Sequence, residues 1–198
     1  MSDLILASAS PRRLELLRQL GYAPTVCIPH VDETPLPGES PSVLVRRLAG
    51  EKARAVGQQH PKATVLGADT IVTVEGKIFG KAVDLDSAEA FYQALGGRWH
   101  QVLTAVAVLQ PTSGRLRVRL SRNAVFMRPL SPKEVRAYWE TGEPLDKAGG
   151  YAIQGLGAAF IHGLRGSYSG VMGLPLAETA GLLEAAGLPP LFLQDAHE

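Results

Sequence analysis

Several features are scarce in this sequence of 198 residues, and each scarcity removes a class of protein. The single cysteine, Cys27, cannot form an intramolecular disulfide, and no group of Cys and His has the spacing of a zinc site. A reducing compartment fits. Neither sign of charge dominates: 20 Lys and Arg stand against 19 Asp and Glu, for a formal net charge of +1. No global field then draws the chain onto nucleic acid or an anionic membrane, so any anion site must be local. Long hydrophobic runs are missing, with nothing near the ~18 residues that a membrane helix needs. The apolar stretch 4–7 is too short for a secretory signal and follows Asp3 rather than a basic segment, so a soluble, cytoplasmic protein is expected. The motifs GxxxxGK[ST], GxGxxG and HExxH do not occur, and neither do internal repeats or linkers rich in Ser, Pro or charge. One domain over 1–198 is expected.

What is present is an alternation of strand-like and helix-like segments, which reads as α/β. LILA (4–7) is a short buried strand. Ser10 with Pro11 opens a helix that Gly21 ends, and Ser40 with Pro41 opens another to about Val56. VLGADTIVTV (65–74) is a strand that turns through Glu75 and Gly76 into KIF (77–79). A helix at 86–95 and an apolar strand at 102–109 follow, then a strand in which Leu116, Val118 and Leu120 alternate with arginines. SPKE (131–134) is a capping box for a helix to about Glu140, and a last helix spans 175–187, with the tail beyond it unassigned.

Three places break their local rules. Arg12 and Arg13 occupy the first turn of a helix, where the dipole favours acids. Either they reach into solvent, or they, the amides and the hydroxyls of Ser8 and Ser10 form an anion cradle. Lys52 falls in the middle of the apolar stripe Leu44, Val45, Leu48, Ala49 and Val56, so it either snorkels to water or delivers an ammonium into a cleft; Arg46, Arg47 and Arg54 lie on the opposite, solvent-facing arc. Asp69 stands inside an apolar strand, where a lone charge costs several kcal/mol. It must be metal-bound, paired with a cation, or raised in pKa for proton transfer. Lys81 is its candidate partner or a second phosphate contact. Asp32 and Glu33, after Val31, are either solvated loop acids or supply a carboxylate that completes a divalent-ion site with Asp69. The glycine-rich segment 143–155, with Gln154, reads either as a ligand loop or as a turn into a strand.

The blocks SASPRRLELLRQLG (8–21), EK (51 and 52), VLGADTIV (65–72), GK with Asp84, HQVLTAVAV (100–108), EPLDKAGGYAIQG (143–155) and GSYSGVMGLPL (166–176) together closely resemble the Maf family, in order and nearly end to end. The resemblance implies a two-lobed, inosine-triphosphatase-like α/β fold with a mixed sheet and a central cleft, often a homodimer. It implies a divalent-cation enzyme (Mg or Mn) that hydrolyses nucleoside triphosphates between the α and β phosphates. Catalytic roles would fall to Asp69, Lys81 and Lys52, substrate binding to Ser8, Ser10, Arg12, Arg13, Thr70 and Gln154, and metal binding to Glu33 and Asp69. Thr70, Ser167 and Tyr168 resemble the dTTP/UTP subgroup rather than the 7-methyl-GTP subgroup. Two departures stand out: Ala82 replaces the usual proline after Gly-Lys, and Ala152 replaces a glycine and could narrow the base pocket. Four cations, two carboxylates and one divalent ion would nearly balance a triphosphate of about −4. The rival readings are a nucleotide-binding regulator of septum formation and, from the arginine strand alone, a nucleic-acid module.

Overall fold

The computed structural model describes residues 3–111 and 113–191, so part of the unassigned tail, 192–198, lies outside the described residues. The elements run β1 (Leu4–Ala7), α1 (Pro11–Gln19), β2 (Thr25–Cys27), α2 (Pro41–Gln59), β3 (Thr64–Val74), β4 (Lys77–Phe79), α3 (Leu85–Leu95), β5 (Arg98–Leu109), β6 (Leu116–Met127), α4 (Pro132–Glu140), a 3₁₀ turn (Leu156–Phe160), β7 (Ile161–Arg165), α5 (Tyr168–Met172) and α6 (Leu176–Glu184). The strands form one mixed sheet in the order β2-β1-β3-β5-β6-β7, with β4 also on β3. β3 and β5 bury both faces, and their apolar runs suit that position.

The wet-faced strand at Leu116 runs on to Met127, because β5 pairs with it along its full length. Strands β2 and β7 carry no alternation signal, since both are short and sit at the sheet's margins. Ser131 caps α4 as expected, whereas Ser10 and Ser40 occupy their N-cap positions without a side-chain cap hydrogen bond. α3 starts at Leu85, capped by Asp84 through a reciprocal bond with Ser87. Among the described residues no helix is long and apolar enough to cross a membrane.

One edge of β3 pairs continuously with β5 from Val65 to Thr73. The other is interrupted. Parallel β1 covers Thr64 to Gly67, antiparallel β4 covers Val72 to Val74, and residues 68–71 between them have no neighbouring strand. A core on α2 and one around Leu6, Leu17 and Leu66 flank the β1 end, and a third around Phe79, Tyr92 and Tyr151 lies at the β4 end. The unpaired stretch thus lies in a cleft between two packed regions, and it contains Asp69 and Thr70.

Candidate active site

Lys52 and Asp69 meet because α2 lies almost on the backbone of β3. A Cβ at Gly67 would come 2.8 Å from the Ala53 nitrogen, so only glycine lets the helix approach this closely. Lys52, just before Ala53, then reaches Asp69, two residues past Gly67. Its Nζ donates to Asp69 Oδ1 at 2.7 Å and to Glu33 Oε1 at 2.7 Å. Lys52 is 7% and Asp69 6% exposed, so the lysine does not snorkel to water; its partners are the two carboxylates. Burial pushes the Asp69 carboxyl above its ordinary value, against the opposing charges of Lys52 and Arg13. Burial also pushes Glu33 upward, but its bond to Lys52 and the charges of Lys52, Lys81 and Arg13 outweigh this and hold it below the usual range. Among the described residues the second oxygen of each carboxylate has no hydrogen-bond partner.

Thr70 points to the opposite face of β3, as strand alternation requires. There Arg13 enters from α1. Its Nε donates to Gly173 O at 2.8 Å, Nη1 to Ser8 Oγ at 3.2 Å and Nη2 to Thr70 Oγ1 at 3.2 Å. Burial lowers the Arg13 pKa, with Asp69 opposing. Three of the five guanidinium N–H groups are committed to the protein, which leaves one donor free on each terminal nitrogen. Gly173 has φ 118°, a left-handed turn that aims its carbonyl back at the arginine. Ser8 is buried and also accepts from the Ser10 amide at 3.1 Å. The Ser10 side chain leaves the first amides of α1 open.

Arg12, Thr70, Lys147, Ala152 and Gln154 line one crevice of about 40 Å³. The structure thus brings Thr70 and Gln154 together and adds Lys147, which sequence reasoning missed. Burial lowers the pKa of both Arg12 and Lys147, and the charge of Arg12 lowers that of Lys147 further. Two cations crowded in this way favour an anion. The KAGG segment was the available signal. Lys81 is exposed at an isolated bridge to Ala148; it forms no ion pair among the described residues and is not the partner of Asp69. Ala82 is buried among the aromatic side chains of the third core, and Ala152 is buried in the crevice wall.

Arg47 is the other correction: it is no free surface charge. It bonds both oxygens of Glu39 at 2.8 Å, Glu51 Oε2 at 3.0 Å and Thr34 O at 3.0 Å, and so pins the loop that presents Glu33. A larger cavity of about 540 Å³ lies beyond the start of α2, lined by Thr73, Arg98, Gln101 and Arg122. It holds none of the converging carboxylates and cations, so chemistry and not volume locates the site.

From residue 3 to 186 the chain matches the family described as Maf-like protein. The chain belongs to the Maf family. Among its Maf relatives, a dTTP/UTP pyrophosphatase of Symbiobacterium thermophilum is 49% identical over 189 residues, covering 96% of each chain. A dTTP/UTP pyrophosphatase of Cereibacter sphaeroides is 52% identical over 187 residues, covering 94% of this chain and 96% of that one. A solved nucleoside-triphosphatase / dITP/XTP pyrophosphatase of Mycobacterium abscessus superposes on the Maf chain with a TM-score of 0.44 and 18% identity over 71% of this chain and 95% of that one.

Proposed function

We propose that this chain is a nucleoside triphosphate pyrophosphatase that hydrolyses dTTP and UTP to the monophosphate and pyrophosphate, as its relatives' names state for them. The observation that carries the reading is Lys52 Nζ, 2.7 Å from both Asp69 and Glu33, in the gap along β3 and close to an arginine with two spare donors. In this reading Asp69 is the general base. Its raised pKa makes it a stronger acceptor, and its carboxylate takes the proton of the water that attacks the α phosphorus. The bond from that phosphorus to the bridging oxygen breaks, and pyrophosphate leaves toward Arg13, Lys81 and the open amides of α1, which neutralise its growing charge.

A divalent cation, Mg or Mn, fits the donor set. Glu33 and Asp69 offer hard, unpartnered carboxylate oxygens, and among the described residues no cluster of three His, Cys, Asp or Glu could cage a metal alone. Mg characteristically takes one or two carboxylates and completes its shell with substrate phosphate and water. When bound, it would supply charge neutralisation at the transferred phosphate. Thr70 and Gln154 would read the base from opposite sides of the crevice, and Arg12 and Lys147 would hold the phosphate arm. A homodimer in the cytoplasm is the setting this reading expects. The test is a panel of dTTP, UTP and 7-methyl-GTP with a divalent ion, detecting pyrophosphate and orthophosphate separately. Monophosphate and pyrophosphate from the pyrimidine substrates are expected; orthophosphate as the main product overturns the assigned bond, and preference for 7-methyl-GTP overturns the base choice.

A further inference from the structure

Thr104 is fully buried in β5, directly opposite Thr70 of β3. Its hydroxyl donates to Gly170 O at 2.7 Å, and because a carbonyl can only accept, that bond takes the hydroxyl's single hydrogen. The two threonine oxygens are 3.0 Å apart, so Thr70 must be the donor between them. Thr70 then has no hydrogen left, and toward Arg13 Nη2 at 3.2 Å it can only accept. Every bond in the chain Arg13 to Thr70 to Thr104 to Gly170 therefore runs in one direction. Arg13 Nε ends on Gly173, which caps the C-terminus of α5 and donates its own amide to Gly170 O at 3.2 Å, so the circuit closes on itself.

We propose that Thr104 is a positioning residue: it locks the hydrogen-bond direction of the Thr70 hydroxyl and thereby fixes the aim of the two free Arg13 donors. It never touches the substrate. Without its oxygen, the Thr70 hydrogen is free to swing toward Arg13, where donor meets donor, and Gly170 O keeps only the Gly173 amide at 3.2 Å. The guanidinium is then held by two anchors instead of three, and a fork that grips phosphate loses registry. The proposal rests on the reading of Arg13 as a phosphate-binding group.

The experiment is a double-mutant cycle of Thr104→Val and Thr70→Val, read by calorimetric titration with inorganic pyrophosphate, by kcat/KM for dTTP and by thermal melts. Thr104→Val should weaken pyrophosphate binding and lower kcat/KM by about tenfold in the wild-type background, and by less than about threefold once Thr70 is already Val. Thr104→Ser, which keeps the hydroxyl, should stay within about threefold of wild type in both readouts. Equal losses in both backgrounds, or no loss of pyrophosphate affinity, overturn the proposal and leave Thr104 a packing residue. Should Thr104→Val not fold, Thr104→Ser is compared with Thr104→Cys: serine retaining affinity and cysteine losing it supports the relay, and equal behaviour overturns it. If the wild type binds pyrophosphate but does not turn over dTTP, the functional reading fails while the relay is still measured.

Discussion

Two cations on α2, Lys52 and Arg47, each hold two carboxylates, and the contrast between them separates a working site from a brace. Arg47 binds Glu39 at 2.8 Å and Glu51 at 3.0 Å, fixes Thr34 O besides, and both Glu39 oxygens are engaged, one also by the Leu36 amide. Its own bond to Arg47 holds the Glu39 carboxyl down to about 2. In that cluster Glu51 alone keeps an oxygen without a partner among the described residues, and its side chain is 38% exposed, so nothing there is both buried and unfinished. Lys52 binds Asp69 and Glu33 in a cleft, leaves an oxygen on each, and the burial that protects Asp69 also pushes its pKa up. An ion pair marks a functional site when it is left unfinished and under electrostatic tension, not when it is strong.

The sharpest way to test the contrast is Asp69→Asn. The amide keeps the shape but cannot accept the water's proton, so kcat for dTTP should fall by about 10²–10⁴ while pyrophosphate binding persists. A kcat near wild type would reassign Asp69 to structure. Lys52→Met comes next. Removing the cation leaves Asp69 and Glu33 facing each other, a loss of about 3–5 kcal/mol by analogy with broken buried pairs. The acid limb of the pH–rate profile should move to higher pH, because the first effect of Lys52 on Asp69 is to lower its pKa. A limb that stays in place would mean Asp69 is not the titrating base.

The same contrast explains how much could be read beforehand. Asp69 and Lys52 were legible because each violates a hydrophobic pattern, the strand at 65–74 and the stripe on α2, and a violation needs a partner. Which partner they have depends on the approach of α2 at Gly67, a long-range contact that no local pattern encodes. Thr104 violates its strand in the same way, but a hydroxyl among Val and Leu is a weaker anomaly than a carboxylate, and it passed as core. Arg47 sits on the arc where solvated charges belong. Its role comes from a loop folded back over it, and helix periodicity is silent about loops. The gap in β3 is a property of sheet order, which local propensity does not contain.

Arg47→Ala should break the brace and leave the chemistry intact. Freed from Arg47, the loop carrying Glu33 gains freedom, so KM for dTTP should rise by about tenfold or less with kcat changed little. A collapse of kcat comparable with that of Asp69→Asn would mean that the two clusters are one unit and the contrast is false.

The smallest effect has opposite signs in the two clusters. The Glu39 carboxyl binds its proton near 4.5 in the unfolded chain and at about 2 in the folded one, so the stability it contributes is full above 4.5 and is lost as the pH falls toward 2. Asp69 behaves in reverse. Its folded pKa lies above the ordinary 3.8, so the folded state takes up that proton first, and the cost of its charge sets in as the pH rises past 3.8 through the folded value. Denaturant melts between about pH 3 and 6 on wild type, Glu39→Gln and Asp69→Asn read this directly. The advantage of wild type over Glu39→Gln should grow with pH, and its advantage over Asp69→Asn should shrink or turn negative. If both differences move the same way, Asp69 is stabilised by its partners as Glu39 is, and the site is no more strained than the brace.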